Sequence, residues 1–154
     1  MAMVTNPDLT RGWTVSADHQ LVTYDLTSTS ELIKVWSTGH IGHASLALSP
    51  DERVIAVGGW DGHIRLFSSA TGKPLGDLDY HRESVHVVAF AHLITASEAE
   101  GEVESTIELG EEEDSDSEDL AEGTRPSRER WLVSGSKDRR VGLWELIDFN
   151  SARS

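Results

Sequence analysis

Residues 133–144 read Val-Ser-Gly-Ser-Lys-Asp-Arg-Arg-Val-Gly-Leu-Trp, and this stretch decides the fold because the chain contains its pattern twice more. Asp18, Asp61 and Asp138 occupy the same place in the three copies, and an aromatic residue follows each aspartate by six positions. The first two aspartates are 43 residues apart and the last two 77, which falls to 45 when the 32 residues 98–129 are removed. The chain is therefore a repeat of about 43 to 45 residues with one long insertion.

Each copy is predicted to be a pair of strands joined by a turn. After the turn at Asp61-Gly62, Ile64 and Leu66 alternate with other residues, a period of two that puts alternate side chains on opposite faces of a β-strand. Asp61-Gly62 is typical of a tight antiparallel turn, since glycine adopts positive φ without steric cost. Asp18-His19 and Asp138-Arg139 keep the aspartate without the glycine. No segment has convincing helical spacing, so the predicted class is all-β.

The flanking segments complete a four-stranded unit. Strands are predicted at 32–36, 44–48, 53–58, 63–68, 75–80 and 85–90. Four short strands in a repeat of this length are the pattern of a β-propeller blade. The predicted fold is a partial propeller of about two and a half to three blades with a disordered acidic insertion.

The predicted domain boundaries follow from this pattern. Residues 1–97 are assigned to propeller blades: a partial blade at 11–36, a blade at 43–80 and the first strand of the last blade at 84–90. Residues 98–130 are a disordered acidic insertion, 131–147 are the remainder of the last blade, and 148–154 are a tail. Because propellers close with about four to eight blades, we expect a truncated gene model, a fragment of a larger propeller, or a part that pairs with other blades.

Four polar residues of the last blade form a characteristic set: His81, Ser134, Asp138 and Trp144. A buried carboxylate needs donors, histidine can donate from one ring nitrogen, serine can bridge, and an indole only donates. The set resembles the structural tetrad of WD repeats, and we interpret it as structural. A catalytic dyad of His81 and Asp138 beside Ser134 is the alternative, which we disfavour because repeat folds reuse such networks for stability. No catalytic residue is predicted.

The middle blade cannot complete the same network. Val57 stands where the serine would be and Phe67 replaces the tryptophan, which leaves Asp61 with His40 or His43. We therefore expect this blade to depend on apolar packing. The residues expected to provide it are Leu46, Leu48, Ile55, Val57, Ile64 and Leu66.

Composition excludes several classes of protein. There is no cysteine, hence no disulfide framework and no thiolate metal site. There is no apolar run long enough for a transmembrane helix and no secretory signal, so we expect a soluble intracellular protein without a direct membrane contact. The seven histidines do not assemble a four-ligand metal set, and no phosphate-binding or dinucleotide motif is present. No metal or cofactor is predicted.

The net charge of −14 is local in origin. Residues 98–122 hold 13 acidic residues and neither lysine nor arginine, so the rest of the chain is about neutral. This segment has too little apolar surface to order, and it would repel nucleic-acid phosphates. It is interpreted as a spacer, as an acidic segment that attracts basic partners such as histone tails through charge, or as a phosphorylated motif.

The phosphorylation hypothesis concerns Ser115 and Ser117, which lie among carboxylates. Ser115 has an acidic residue three positions on, which looks like the site of an acidophilic kinase. The sequence 116–119, Asp-Ser-Glu-Asp, resembles the acidic phosphoserine motif read by adaptors of the R2TP chaperone system. A phosphate there would suit a basic pocket on such an adaptor.

Longer phrases resemble a specific family. Residues 58–67, 80–90 and 132–138 are similar to the C-terminal blades of the ASTRA-associated WD-repeat proteins of fungi, whose animal counterpart is the G-protein β-subunit-like protein. The resemblance implies a non-enzymatic subunit of the ASTRA complex, linked to chromatin remodelling and to maturation of phosphatidylinositol-3-kinase-like kinases with Tel2-type chaperones. It also implies a nuclear location, with the cytoplasm as an additional one.

Two other functions remain open at this point. One is a β-subunit-like signalling propeller that binds a GTPase, and the other is an acidic histone-binding module. In each case the partners are proteins, and Trp60, His63 and Arg65 are the predicted partner-facing residues. Trp60 is large and apolar at a turn, as interface anchors often are. The alternative is that Trp60 packs against a neighbouring blade.

Overall fold

The computed structural model describes residues 1–27, 31–91 and 131–146, and these residues form eleven strands. The strands are β1 (Ala2–Thr5), β2 (Arg11–Val15), β3 (Gln20–Asp25), β4 (Glu31–Ser37), β5 (His43–Leu48), β6 (Val54–Gly59), β7 (His63–Ser68), β8 (Pro74–Asp79), β9 (Val85–Phe90), β10 (Trp131–Ser136) and β11 (Val141–Glu145). The all-β prediction is confirmed. Within the described ranges no helix is long and apolar enough to cross a membrane.

The strands form three antiparallel sheets in which neighbours in sequence are neighbours in space. The orders are β1-β2-β3-β4, β5-β6-β7-β8 and β9-β10-β11. β5 lies against both β1 and β9, so the three sheets follow one another as consecutive blades. The turns at Asp18, Asp61 and Asp138 lie at the same end of their sheets, and we call this end the turn face.

Two apolar clusters hold the blades together, and the middle blade contributes to both. One cluster joins the first blade to the middle one, and Ile55, Val57 and Phe67 are its middle-blade members. The other joins the middle blade to the last, through Ile64 and Leu66. Full burial of an aliphatic side chain of this size contributes about 1.5 to 3 kcal/mol. The middle blade is therefore buried on both faces.

Each end blade has only one buried face. In the last blade, Val141 and Leu143 are exposed while the alternate residue Gly142 is buried. In the first blade, Met3 and Val35 are likewise exposed. In a longer propeller, a further blade would cover these exposed apolar side chains.

The first blade differs from its predicted extent. The prediction began a partial blade at residue 11, whereas β1 pairs with β2 from Ala2↔Val15 to Thr5↔Gly12 and makes the blade four-stranded. A four-residue strand has only two side chains on each face, too few for a periodic signal in the sequence. The predicted strands at 63–68 and 85–90 match β7 and β9. The predictions for 98–130 and 148–154 lie outside the described residues.

Candidate functional site

The structure joins His81, Ser134, Asp138 and Trp144 in one hydrogen-bonded chain. Ser134 lies on β10 and Trp144 on β11, while Asp138 lies in the turn between them and His81 follows β8. The Trp144 indole donates to Ser134 Oγ at 3.1 Å, and Ser134 Oγ lies 2.9 Å from His81 Nε2. His81 Nδ1 lies 3.3 Å from both carboxylate oxygens of Asp138. Since an indole only donates and a carboxylate only accepts, the chain runs from Trp144 through Ser134 and His81 to Asp138.

The order Asp138, His81, Ser134 is also that of a catalytic triad, and burial decides between the two interpretations. Ser134 is fully buried, and its hydroxyl oxygen already accepts the Trp144 indole. The His81 side chain is fully buried as well. A nucleophilic serine needs an open approach for the reacting carbonyl, which full burial denies. The arrangement therefore holds a fold together and is not built to attack a substrate.

Asp138 also fixes the chain around it. Its carboxylate accepts the backbone N–H of Arg82 at 3.0 Å and that of Arg140 at 2.9 Å. Burial works to raise the pKa of this carboxyl, but these backbone donors and His81 outweigh it and lower the pKa to about 2. One ionised side chain thus ties the segment before β9 to the turn between β10 and β11.

In the middle blade, Asp61 has a different partner from the predicted one. The prediction left Asp61 with His40 or His43, but Arg65 holds it, with Nη2 at 2.5 Å and Nη1 at 3.2 Å from the carboxylate. Burial acts to raise the pKa of Asp61, but the hydrogen bonds from Arg65 and from the backbone N–H of His63, with the positive charge of Arg65, together outweigh it and lower the pKa to about 2. An Asp-x-x-x-Arg spacing across a tight turn is the sequence signal that could have predicted this pair.

His43 lies nearby but faces another residue. It is buried, and its Nε2 lies 2.8 Å from Thr38 Oγ1. Burial lowers the pKa of His43, and the positive charge of Arg65 lowers it further. His43 is therefore a neutral core residue at physiological pH.

The three predicted partner-facing residues have different environments. Trp60 is 56% exposed, with its ring against Gly42, where an added methyl carbon would lie 2.7 Å from the ring. His63 is partly exposed, and its Nδ1 lies 2.9 Å from Asp77 Oδ1. The Arg65 side chain is only 7% exposed, so the prediction that it faces a partner is wrong. Arg65 lies on the middle blade, whose two faces are both covered.

Sequence reasoning missed a group of exposed basic residues on the turn face. Arg82, Lys137, Arg139 and Arg140 surround Asp138, which binds the first and last of them through their backbone. The run Lys137-Asp-Arg-Arg was the available signal, but Arg82 is remote in sequence and its proximity comes from the fold. Among the described residues, no group of three potential ligands could hold a metal ion. Ser115 and Ser117 lie outside these residues.

Comparison with known families identifies the repeat. A family model described as "Anaphase-promoting complex subunit 4 WD40 domain" matches residues 16–93, half of the chain. A second, "WD domain, G-beta repeat", matches residues 126–145. The chain belongs to the WD40 repeat family. Members such as the ASTRA-associated proteins are typically non-catalytic scaffolds.

Curated WD40 relatives include ASTRA-associated protein 1 of two fungi. The Verticillium alfalfae protein is 35% identical over 124 residues, which cover 75% of this chain and 29% of that protein. The Aspergillus flavus protein is 29% identical over 138 residues, 85% of this chain and 32% of that protein. "Guanine nucleotide-binding protein subunit beta-like protein 1" of Mus musculus is 30% identical over 105 residues, 68% of this chain and 21% of that protein. The chain thus spans less than a third of the length of these relatives.

Solved WD40 structures share the fold. The structure of U3-55K superposes with a TM-score of 0.65 at 17% identity, covering 94% of this chain and 35% of that chain. The crystal structure of RRP9 WD40 repeats gives 0.64 at 17% identity, over 94% of this chain and 34% of that one. At this identity the likeness concerns the fold alone.

Proposed function

We propose that this chain is a non-catalytic interaction scaffold of the ASTRA complex. The observation that carries the proposal is the similarity to ASTRA-associated protein 1, at 35% identity over 75% of the chain in Verticillium alfalfae. The burial of Ser134 and His81 supports the non-catalytic part, because the one constellation that could suggest hydrolysis has no access for a substrate.

The proposed role in the complex is to hold other proteins rather than to transform a substrate. We propose that the chain acts in the nucleus, because its resemblance to ASTRA-associated proteins implies a link to chromatin remodelling and to the maturation of phosphatidylinositol-3-kinase-like kinases. The proposed partners are ASTRA and Tel2-type chaperone subunits, with an R2TP adaptor at Ser115 and Ser117 as a further one.

Trp60 and His63 form the surface we assign to this docking. Trp60 offers an exposed aromatic ring that packs on Gly42. Rigid aromatic side chains lose little conformational entropy on binding and are enriched among interface anchors. His63, together with Asp77 and Asp79, adds polar groups at the outer edge of the same blade.

Quantitative affinity purification tests the proposal. The tagged chain is expected to recover ASTRA and Tel2-type chaperone subunits, identified by mass spectrometry. The variant Trp60→Ala/His63→Ala is expected to lose them, while Arg53→Ala/Lys73→Ala, which changes exposed residues away from the turn face, is expected to retain them. If the unchanged chain recovers neither ASTRA subunits nor Tel2-type chaperone subunits, the proposal is contradicted.

The same experiment distinguishes the alternatives. Recovery of a Gα subunit would favour the signalling propeller, which the name of the mouse relative suggests. Salt-sensitive capture of histones that is lost on deletion of residues 98–122 would favour the acidic histone-binding module. Loss of an R2TP adaptor in Ser115→Ala/Ser117→Ala is the expected result for the phosphorylated motif, and unchanged recovery would remove that hypothesis.

A further inference from the structure

The turn face of the last blade concentrates positive charge in a chain that is otherwise acidic. Arg82, Lys137, Arg139 and Arg140 are all exposed, and they are four of the nine lysine and arginine residues in the described ranges. We call these four residues the basic surface. It has to be explained separately from the tetrad beneath it, because the tetrad uses none of the four side-chain charges.

The backbone of the basic surface is fixed by hydrogen bonds that do not use its charged side-chain groups. The backbone N–H groups of Arg82 and Arg140 are fixed by the Asp138 carboxylate, and that of Lys137 donates to the Ser84 carbonyl at 3.0 Å. The Arg140 guanidinium lies over the Tyr80 ring at 5.9 Å from its centroid. Such stacking orients a guanidinium while its N–H groups remain available for an anion.

Acidic side chains within the same turn do not neutralise this surface. The Asp138 carboxylate is only 6% exposed and is occupied by His81 and two backbone donors. Glu83 lies 3.7 Å from Lys137 Nζ, an exposed pair that contributes little. None of the hydrogen bonds described for the three arginines joins a guanidinium to a carboxylate. These arginines therefore present their positive charge to solvent.

Arg139 adopts a backbone conformation that is unfavourable for arginine. Its φ is 65°, in the left-handed region, where the middle blade has Gly62 with φ 87°. Glycine adopts this region freely, whereas a side chain with a Cβ is disfavoured there. An arginine thus stands at the tip of the turn where glycine would be the better residue for folding. Backbone strain of this kind is concentrated at functional sites.

The turn of the middle blade borders the basic surface. A methyl group added at Gly62 would collide with the His81 carbonyl, so the Trp60–Gly62 turn lies directly against the segment that carries Arg82. The exposed ring of Trp60 packs on Gly42, which precedes β5.

We propose that the basic surface binds a carboxylate-rich peptide segment of a partner protein. Guanidinium groups match carboxylates in geometry, and three of the four side chains of this surface are arginines. A short peptide covers only this surface, whereas a longer polyanion such as nucleic acid would also meet the remaining described residues, in which acids outnumber bases. The inference does not depend on membership of the ASTRA complex.

Fluorescence anisotropy with a labelled peptide, Glu-Glu-Glu-Leu-Glu-Glu-Glu, tests this inference. It is measured on the full chain and on a chain in which a Gly-Ser segment of equal length replaces residues 98–122, so that the acidic run of the protein does not compete. Binding is expected to weaken with added salt, and the matching glutamine peptide is expected not to bind. Absence of glutamate-peptide binding to both chains would overturn the proposal.

Two matched triple variants locate the site. Arg82→Glu/Arg139→Glu/Arg140→Glu is expected to weaken binding at least about tenfold. Arg11→Glu/Arg53→Glu/Lys73→Glu makes the same change in net charge at exposed residues away from the turn face, and is expected to change binding less than about twofold. Equal losses in both variants would mean that only net charge matters, and would contradict a defined site.

Arg139→Gly separates binding from folding. Because glycine suits the left-handed conformation, the unfolding temperature is expected to stay the same or rise, while peptide binding weakens about threefold. Unchanged peptide binding in this variant would remove Arg139 from the site. Tighter binding of an oligothymidine strand of equal charge, lost in the first triple variant, would make this a nucleic-acid surface and would overturn the peptide proposal.

Discussion

The middle and last blades hold an equivalent turn by different means. In the last blade, Asp138 is held by His81 and two backbone N–H groups, and Ser134 and Trp144 extend the network into the sheet. In the middle blade, Asp61 is held by the Arg65 side chain and by the backbone N–H of His63. The pKa of each aspartate is lowered to about 2, so both turns are held through an ionised carboxylate.

The difference follows from the surroundings of each blade. The middle blade has a neighbour on both faces, and all six residues of β6 are buried, so apolar packing supplies its stability. The last blade has one exposed face in the described residues, and its polar network supplies specific bonds where apolar burial is smaller. The loss of the polar tetrad is therefore tolerated in the middle blade, which has the largest apolar core.

The largest effect is expected from truncation of the middle-blade core. Leu66 is 1% exposed, and Leu66→Ala is expected to lower the free energy of unfolding by about 3 kcal/mol through lost burial and a residual cavity. Leu143→Ala, at an exposed position of the last blade, is expected to cost less than about 0.5 kcal/mol. Urea unfolding followed by tryptophan fluorescence measures both. Similar losses in the two variants would contradict the difference between the blades.

A smaller effect is expected from the network of the last blade. Ser134→Ala removes the oxygen between His81 and Trp144 and leaves two buried polar groups without that partner. The expected loss is about 2 kcal/mol, as for other buried groups left unsatisfied. The exposed Ser37→Ala is the matched control, with an expected change below about 0.5 kcal/mol. A loss for Ser134→Ala no larger than the control would show that the network contributes no stability.

The ion pair of the middle blade is expected to contribute less again. A double-mutant cycle with Asp61→Asn and Arg65→Met is expected to give a coupling energy of about 1 kcal/mol. The value is modest because the Asp61 side chain is 40% exposed and water screens the pair. The coupling should fall with added salt. Strict additivity of the two substitutions would mean that the turn does not depend on this pair.

The smallest effect is a dependence on pH that originates at His43. Its pKa in the folded state is lowered by burial, so the unfolded state binds a proton at higher pH than the folded state does. The associated stability is present above the ordinary histidine pKa of about 6.5 and is lost as pH falls below it. Between about pH 7.5 and pH 5.5 the loss is expected to stay below about 1 kcal/mol and to shrink in His43→Gln. An identical pH dependence in the variant would exclude His43 as its origin.

Much of the fold could be predicted because its signals are local. The spacing of Asp18, Asp61 and Asp138 gave the repeat, and alternation gave β7 and β9 with their observed bounds. The four tetrad residues could be named because they resemble the structural tetrad of WD repeats, whose donor and acceptor types are complementary. β1 could not be predicted, since four residues carry too short an alternation.

The environment of Arg65 could not be predicted for a different reason. Alternation separates the two faces of β7 but does not show that neighbouring blades cover both of them, so Arg65 was assigned to a partner. The contact of His43 with Thr38 depends on a loop with positive φ at Gly39 and Gly42, which spacing does not specify. The basic surface joins Arg82 to Arg139, residues that only the tertiary fold brings together.

The most direct test of the account is the exchange of tryptophan indole hydrogens with solvent, followed by NMR. Trp144 donates its indole hydrogen to the buried Ser134, whereas Trp60 is exposed at the corresponding turn of the middle blade. We expect the Trp144 indole hydrogen to exchange at least about a hundredfold more slowly than that of Trp60, and this protection to be lost in Ser134→Ala. Equal rates for the two indoles in the unchanged protein would contradict the hydrogen-bonded network that holds the last blade and presents its turn face.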